Sequence, residues 1–237
     1  MFTDSPSWSR YLLVVPLTLI LGCVISWTST REAHVEMPVI PANLVKPDAP
    51  LVYLKPATDS RPSDVIARYD EVWLASKYTY SYVGPRFDVT TGGELAEYMN
   101  GLMVGYLGIK GFRAKPLAAT ESPIEPAPRV HLRLVTAQGP VSEGSQVSPV
   151  PSSATADIEV DVTDTSGHEI FSNSYSAIAK GFAPNLLVPF QKTVIGADEL
   201  WLKIVNQAVE ETIKKIVADP AFIAALRTQK PAEANNR

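Results

Sequence analysis

The chain has 237 residues, and its 25 aspartates and glutamates outnumber its 21 lysines and arginines, which gives a net charge of -4. A mildly acidic chain argues against nucleic acid as a partner, because binding to phosphate backbones requires clustered basic residues. Cys23 is the only cysteine, so no disulfide can form within the chain, and a hydrophobic core must hold the folded part together.

The N-terminal segment is long and apolar, with no charged residue between Tyr11 and Thr30. Residues 1–22 have the pattern of a cleavable secretory signal, in which Arg10 provides the positive charge and Gly22 is the small residue before the cut. The four residues 20–23, Ile-Leu-Gly-Cys, resemble the bacterial lipobox. This interpretation predicts that Cys23 becomes the lipid attachment site, carrying palmitate or a similar acyl chain.

Two other interpretations of the same segment stay open. Residues 11–27 would span about 25 Å as a helix, which is at the short limit for an uncleaved transmembrane anchor. Alternatively, Cys23 is only a small hydrophobic residue in an apolar helix. Lipid anchor and transmembrane helix place the rest of the chain on the periplasmic side of the inner membrane, and residue 24, which is valine and not aspartate, favours the outer membrane as the final site.

The first half of the remaining chain reads as a linker followed by strands. Residues 23–48 contain three prolines and little periodicity, which predicts an extended tether, and a single domain is expected over 49–228 with a polar tail over 229–237. Strands are predicted over 51–54, 71–75 and 77–83, with a polar turn over 58–62. In the third strand, Tyr78, Tyr80 and Tyr82 share one face.

A helix is predicted after Thr91, because Thr91 and Glu94 form a capping-box pattern and apolar residues recur at helical spacing over 95–107. Residues 108–111 should end it. Gly101, Gly105 and Gly108 lie on one helical face, which indicates that another backbone approaches closely. That backbone belongs either to the helix's own sheet or to a second chain.

The second half predicts a strand over 130–135, a loop over 139–153, and a hairpin with strands over 157–162 and 169–180. A carboxylate row, Asp157, Glu159 and Asp161, alternates along the first hairpin strand and should form an exposed sheet face. A long amphipathic helix is predicted over 197–217, and Asp219 should cap a short helix over 221–227. The expected fold is therefore α+β, an antiparallel or mixed sheet with two main helices on one face.

Residues 182–190 form an apolar segment interrupted by prolines, so they should be neither strand nor helix. The segment either folds back over the sheet or offers anchors to a partner. The candidate partner contacts are therefore the large apolar residues of this segment together with the tyrosine face: Phe182, Leu186, Leu187, Val188, Phe190, Tyr78, Tyr80 and Tyr82.

The order of these elements resembles the YajG-type lipoproteins of Gram-negative bacteria. The resemblance covers residues 49–228 and depends on the lipobox-like start, the apolar strand that leads into Thr58-Asp59-Ser60-Arg61, the capped helix that ends in residues 108–112, and the terminal helices. It implies a small domain similar to those of envelope assembly lipoproteins and an envelope location.

No catalytic pattern is present: the sequence has no His-Glu-x-x-His pair, no phosphate loop and no Gly-x-Ser-x-Gly elbow. His34, His131 and His168 are far apart in the predicted elements, so we expect no metal and no cofactor. The leading hypothesis is a non-enzymatic, membrane-anchored scaffold or accessory subunit that binds another envelope protein. The alternative is a carrier for an apolar ligand, such as lipid or lipopolysaccharide, held between sheet and helices.

Overall fold

A computed structural model describes residues 28–32, 35–38, 48–74, 81–91, 94–120, 123, 125–139, 150–183 and 197–227. Over these residues the strands are β1 (Thr28–Glu32), β2 (Leu51–Leu54), β3 (Thr58–Asp59), β4 (Val65–Leu74), β5 (Ser81–Thr90), β6 (Arg113–Pro116), β7 (Arg129–Gln138), β8 (Val150–Thr163) and β9 (Glu169–Ala183). The helices are α1 (Glu94–Ile109), α2 (Ala197–Ala218) and α3 (Pro220–Arg227).

Within the described ranges the main sheet has six strands, in the order β6-β2-β7-β8-β9, with β3 also paired to β7. The strands β2 and β3 run parallel to β7 one after the other, and β2 is also parallel to β6. The pairs β7–β8 and β8–β9 are antiparallel. The sheet is therefore mixed, as the sequence predicts, and the segment predicted to be a polar turn over 58–62 begins with the short strand β3.

The described part of a second sheet has three strands, in the order β1-β5-β4. The strand β1 is parallel to β5, with Thr28 opposite Arg86, and it lies in the segment predicted to be a tether. Farther along this segment, Val35 is buried in the main core and its N–H donates to the Glu94 carboxylate at 2.8 Å. These parts of residues 23–48 therefore pack on the folded chain and do not form a free spacer.

The core lies between one face of the main sheet and the helices. On β8, Ile158, Val160 and Val162 are fully buried, and the alternating residues of β7 meet them from the neighbouring strand. The buried face of α2 includes Ala208 and Ile213. The buried side chains recur at every second residue of the strands and with a period of 3.6 residues along the helix, which places them on one face of each element. Their burial against one another confirms the predicted α+β fold with the two main helices on the sheet.

The C-terminal end of α1 confirms the predicted glycine stop. The N–H of Gly111, whose φ is 84°, donates to the Gly108 carbonyl at 3.0 Å, and the N–H of Phe112 donates to the Leu107 carbonyl at 3.0 Å. This pair of bonds is a Schellman motif. At the other end, the Thr91 hydroxyl is buried without a partner among the described residues, so its half of the predicted capping box does not form.

The β8–β9 hairpin is confirmed and is longer than predicted. Its turn is closed by Asp164, whose carboxylate accepts from the N–H groups of Ser166 and His168, and Gly167 adopts a φ of 89°. The hairpin extends to Val150 and Ala183, so the predicted loop over 139–153 ends as strand. Phe182, predicted to open an irregular segment, belongs to β9 and pairs with Pro151 of β8.

A small second cluster lies on the outer face of the main sheet, the face that the helices leave open. It consists of Tyr53, Leu117 and Ala127, all buried, with Leu51 packed against it. The Glu125 N–H donates to the Tyr53 hydroxyl at 3.3 Å. The chain between β6 and β7 therefore covers the outer face at β2.

Candidate protein-binding edge

The strand β9 is the last strand of the main sheet, and among the described residues it pairs only with β8. In an antiparallel pair, the N–H and C=O of one residue point to the same side, and successive residues alternate between the partner strand and the outer side. Every second residue of β9 therefore presents both backbone groups to the outer edge. Such an edge can pair with an added strand.

Two side chains of the same chain identify which residues these are. The N–H of Ser174 donates to the Asn173 side-chain oxygen at 2.9 Å, and the Ser176 carbonyl accepts from Lys215 Nζ at 2.7 Å. Both groups are on even-numbered residues, so the even-numbered residues face outward. The part of the β9 edge nearer the β8–β9 turn, before Ile178, is thus partly closed by side chains of the same chain. In this part, Phe171 also contacts Phe222 of α3, with 5.8 Å between the ring centroids.

The upper half of the edge, Ile178 to Phe182, has no such bonds among the described residues. Its outward backbone groups belong to Ile178, Lys180 and Phe182. Pro151 lies opposite Phe182, which fits this assignment, because proline has no N–H to donate and is tolerated where the ladder needs no donor. The Ile178 side chain is 63% exposed on the outer face. We call these residues, 178–182, the open edge.

The outer face beside this edge is polar and largely satisfied from within. Arg133 of β7 forms ion pairs with Glu159 at 2.6 Å and with Asp161 at 3.8 Å, and Asp161 also accepts from the Ser172 hydroxyl at 2.7 Å. The predicted carboxylate row therefore forms part of a cross-strand charge network on a solvent-facing sheet.

His131 belongs to the same face. Its Nε2 is 2.8 Å from the Thr58 hydroxyl oxygen. Burial lowers the pKa of His131 below its ordinary value, although the nearby charge of Asp161 acts in the opposite direction. This residue is a hydrogen-bonded sheet histidine, and in the part of the chain that the structure describes no three His, Cys, Asp or Glu residues are placed to hold a metal.

The Asp59-Ser60-Arg61 stretch contains a compact, partly buried ion pair between Asp59 and Arg61. Arg61 Nε donates to Asp59 Oδ1 at 2.9 Å and its second guanidinium nitrogen donates to Oδ2 at 2.6 Å. The Arg61 side chain is only 2% exposed. Burial opposes ionisation of Asp59, but the hydrogen bonds and charge of Arg61 outweigh it and hold the pKa of this carboxyl below its ordinary value. The pair joins β3 to the end of β7, where Arg61 also reaches the Ala137 carbonyl at 3.4 Å.

The glycine face of α1 is occupied at one position by the chain itself. A Cβ on Gly101 would lie 2.9 Å from Cγ and 3.2 Å from Cδ of Pro38. The close approach predicted for Gly101 is therefore made by the segment before β2, neither by the sheet nor by a second chain. Gly105 is half-buried and Gly108 is buried. The close approach of another backbone at these two glycines stays a prediction.

Most of the other predicted contact residues lie outside the described residues: Cys23, Tyr78, Tyr80, Leu186, Leu187, Val188 and Phe190. For Tyr82 and Phe182 the structure describes the backbone alone, in β5 and β9. No described helix combines the length and hydrophobicity that a membrane span requires, and residues 1–27 are not among those described. The open edge itself was not located from the sequence, although the alternating serines of β9 mark the solvent face next to it.

Known proteins resemble this chain only distantly. No protein-family model and no curated relative matches it. Among solved structures, a proposed homologue of a neuraminyllactose-binding hemagglutinin from Helicobacter pylori is 14% identical with a TM-score of 0.44, over 79% of this chain and 95% of that one. The lipoprotein GNA1162 of Neisseria meningitidis is 12% identical with a TM-score of 0.34, over 67% and 96%. A proposed lipoprotein of Caulobacter crescentus is 13% identical with a TM-score of 0.35, over 54% and 82%.

Proposed function

We propose that this protein is a membrane-anchored envelope lipoprotein that acts as a non-enzymatic scaffold or accessory subunit and binds another envelope protein at the open edge of β9. The anchor is the N-terminal apolar segment, through a lipid on Cys23 or as a helix, with the domain on the periplasmic side and the outer membrane as its final site. The YajG-type resemblance gives the family that we expect. Tethering raises the local concentration of the domain near its partner.

The open edge is the single observation that carries this proposal. An added strand would gain main-chain hydrogen bonds from Ile178, Lys180 and Phe182, while the exposed Ile178 side chain offers an apolar contact on the outer face. The partner would therefore be an extended segment with alternating side chains, of which one set faces Ile178.

The packing of the inner layer supports a binding role over the alternative of an apolar carrier. Between the sheet and α2, Leu132, Val160, Val205 and Val209 are each 0% exposed, so side chains of the chain itself fill this layer in the described region. A carrier would need a lined cavity there.

The test blocks the edge without touching the β8–β9 ladder. Lys180→Pro removes an N–H that points outward, and edge strands tolerate proline at such a position. Lys180→Ala is the matched control, since it removes the same charge and keeps the N–H. With a photoreactive residue at position 178 in intact cells, we expect one envelope protein to be captured with the parent chain and with Lys180→Ala, and lost with Lys180→Pro. Equal capture by both variants would refute strand addition at this edge.

A further inference from the structure

The folded chain begins directly where the apolar N-terminal segment ends. The last apolar residue of that segment is Trp27, and Thr28 is already paired with β5. A lipid on Cys23 would be five residues away, which is at most about 18 Å of fully extended chain. A transmembrane helix over 11–27 would leave even less. The domain is thus held close to the bilayer and not away from it.

The direction of β1 indicates which part of the domain meets the bilayer. Because β1 and β5 are parallel, the chain enters from the side toward which β5 extends before Arg86. From Arg86 back to Ser81, β5 runs for five residues, or roughly 17 Å, and β4 accompanies it up to Leu74. The ends of this strand pair therefore extend roughly 17 Å beyond Thr28 toward the bilayer. This length is similar to the distance of at most about 18 Å between Thr28 and a lipid on Cys23.

The composition of these strand ends fits a lipid interface. Residues 72–74 and 81–83 carry no charge, and Trp73 lies directly opposite Tyr82 in the register. Along the two strands themselves, charged residues resume at Glu71 and Arg86, and the segment that joins the strand ends contains one charged residue, Lys77, together with Tyr78 and Tyr80. Tryptophan and tyrosine are the residues that favour the membrane–water interface, because their rings are apolar and their N–H and O–H groups can bond to water and headgroups.

We propose that the ends of β4 and β5, residues 72–74 and 81–83, lie in the interfacial layer of the bilayer that holds the N-terminal anchor. This inference rests on the proposed anchoring and adds the orientation of the domain. The strand β4 starts beside the end of β7, where the Gly139 N–H donates to the Ile66 carbonyl at 2.6 Å. From Thr58, opposite Arg133, the chain follows β7 in the same direction as far as Ile66, so we expect β4 to continue beyond the end of β7. The β8–β9 turn lies at the other end of β7, eight residues of β8 or about 27 Å away, and on this course it is on the side of the domain away from the membrane.

The experiment places single tryptophans in the full-length protein reconstituted into phosphatidylcholine vesicles. The chain has four tryptophans, so replacing Trp8, Trp27 and Trp201 by phenylalanine leaves Trp73 alone. A second variant replaces all four by phenylalanine and carries Ser81→Trp. Neighbouring register positions point to opposite faces of the sheet, so positions 73 and 81 sample both faces. The control carries Thr165→Trp in the exposed β8–β9 turn. Circular dichroism checks that all three fold alike.

Part of the lipid is then replaced by phosphatidylcholine brominated near the headgroup end of its acyl chains, which quenches tryptophan at that depth. We expect loss of emission from position 73, position 81 or both, and none from position 165. Vesicle flotation measures anchoring separately. Flotation without quenching at 73 and 81 overturns the orientation and leaves the anchor intact, whereas failure to float overturns the anchored function together with the orientation.

Discussion

Removing the carboxylate of Asp59 tests the partly buried ion pair at the end of β7. The Arg61 side chain is 2% exposed and that of Asp59 is 21% exposed, so water cannot replace the lost partner fully. Asp59→Ala leaves the guanidinium with one long bond, at 3.4 Å to the Ala137 carbonyl. The variant therefore tests whether removing one partner costs as much unfolding free energy as is typical of a buried ion pair.

The expected loss follows from the exposure of the two partners. Deleting one member of a buried pair costs about 3–5 kcal/mol, and since Asp59 retains some exposure we expect the lower end, about 3 kcal/mol of unfolding free energy. Asp59→Leu combined with Arg61→Met replaces both charges by apolar side chains of similar size. This double variant should recover most of the loss, because no charge is then left unpaired.

Urea unfolding followed by circular dichroism at neutral pH measures all three free energies. A loss below about 1 kcal/mol in Asp59→Ala would show that the pair behaves like an exposed one and would refute the reasoning. The pH dependence supplies a second check. Because the folded-state pKa of Asp59 lies below its ordinary value of 3.8, the stabilisation is present at neutral pH and disappears as the pH falls below that value. The double variant should lack this part of the acid loss.

Three further predictions use other contacts. Gly101→Ala should bring no net stability in the parent chain, because its Cβ would lie 2.9 Å from Pro38, yet it should gain up to about 1 kcal/mol in a Pro38→Ala background; equal effects in both backgrounds in urea unfolding would contradict the contact. Thr212→Val should cost about 1 kcal/mol in the same assay, because the one proton of the buried hydroxyl is shared between the Ala208 carbonyl at 2.9 Å and the Ala156 carbonyl of β8 at 3.1 Å, and unchanged stability would mean that hydrogen bonding by this hydroxyl contributes nothing. Burial and the hydrogen bond to Asp219 raise the pKa of Tyr175 to about 12, above its ordinary 10.0, so part of the stability should be lost as the pH rises from 10 through 12. In Asp219→Asn an absorbance titration of tyrosinate should give a lower pKa, and an unchanged value would exclude the carboxylate as a cause.

Elements encoded by local chemistry could be predicted from the sequence. The glycine at position 111 ends α1 because only a residue that tolerates positive φ fits there, and Asp219 caps α3 through the Ala221 N–H at 2.8 Å. The period-2 run of β8 and the helical period of α2 each fix a buried face without reference to the rest of the chain. These features depend on residues within a few positions of one another.

Pairings between distant segments could not be predicted in the same way. The strand β1 is short and polar, and its pairing with β5 joins residues whose numbers differ by 58, as Thr28 and Arg86 do. Nothing in the local pattern of residues 28–48 distinguishes a strand and a buried Val35 from an extended tether. The partner of Gly101 was missed for the same reason, because Pro38 approaches from that segment.

The open edge depends on which backbone groups point outward, and that depends on the β8–β9 register. A shift of the register by one residue would turn Ile178 and Lys180 toward β8 and remove the site. Three contacts indicate which residues point outward: the bond of the Ser174 N–H to Asn173, the bond of the Ser176 carbonyl to Lys215, and the position of Pro151 opposite Phe182. The candidate site therefore required coordinates, whereas the fold class did not.

The small cluster of Tyr53, Leu117 and Ala127 shares no buried side chain with the main core, since the sheet separates the two. Among its described residues, few apolar contacts hold the crossing between β6 and β7, so we expect its amides to exchange with deuterium through partial openings long before the buried amides of β7 and β8. A protease that cleaves within this crossing would therefore nick a molecule whose helices and central strands are still intact.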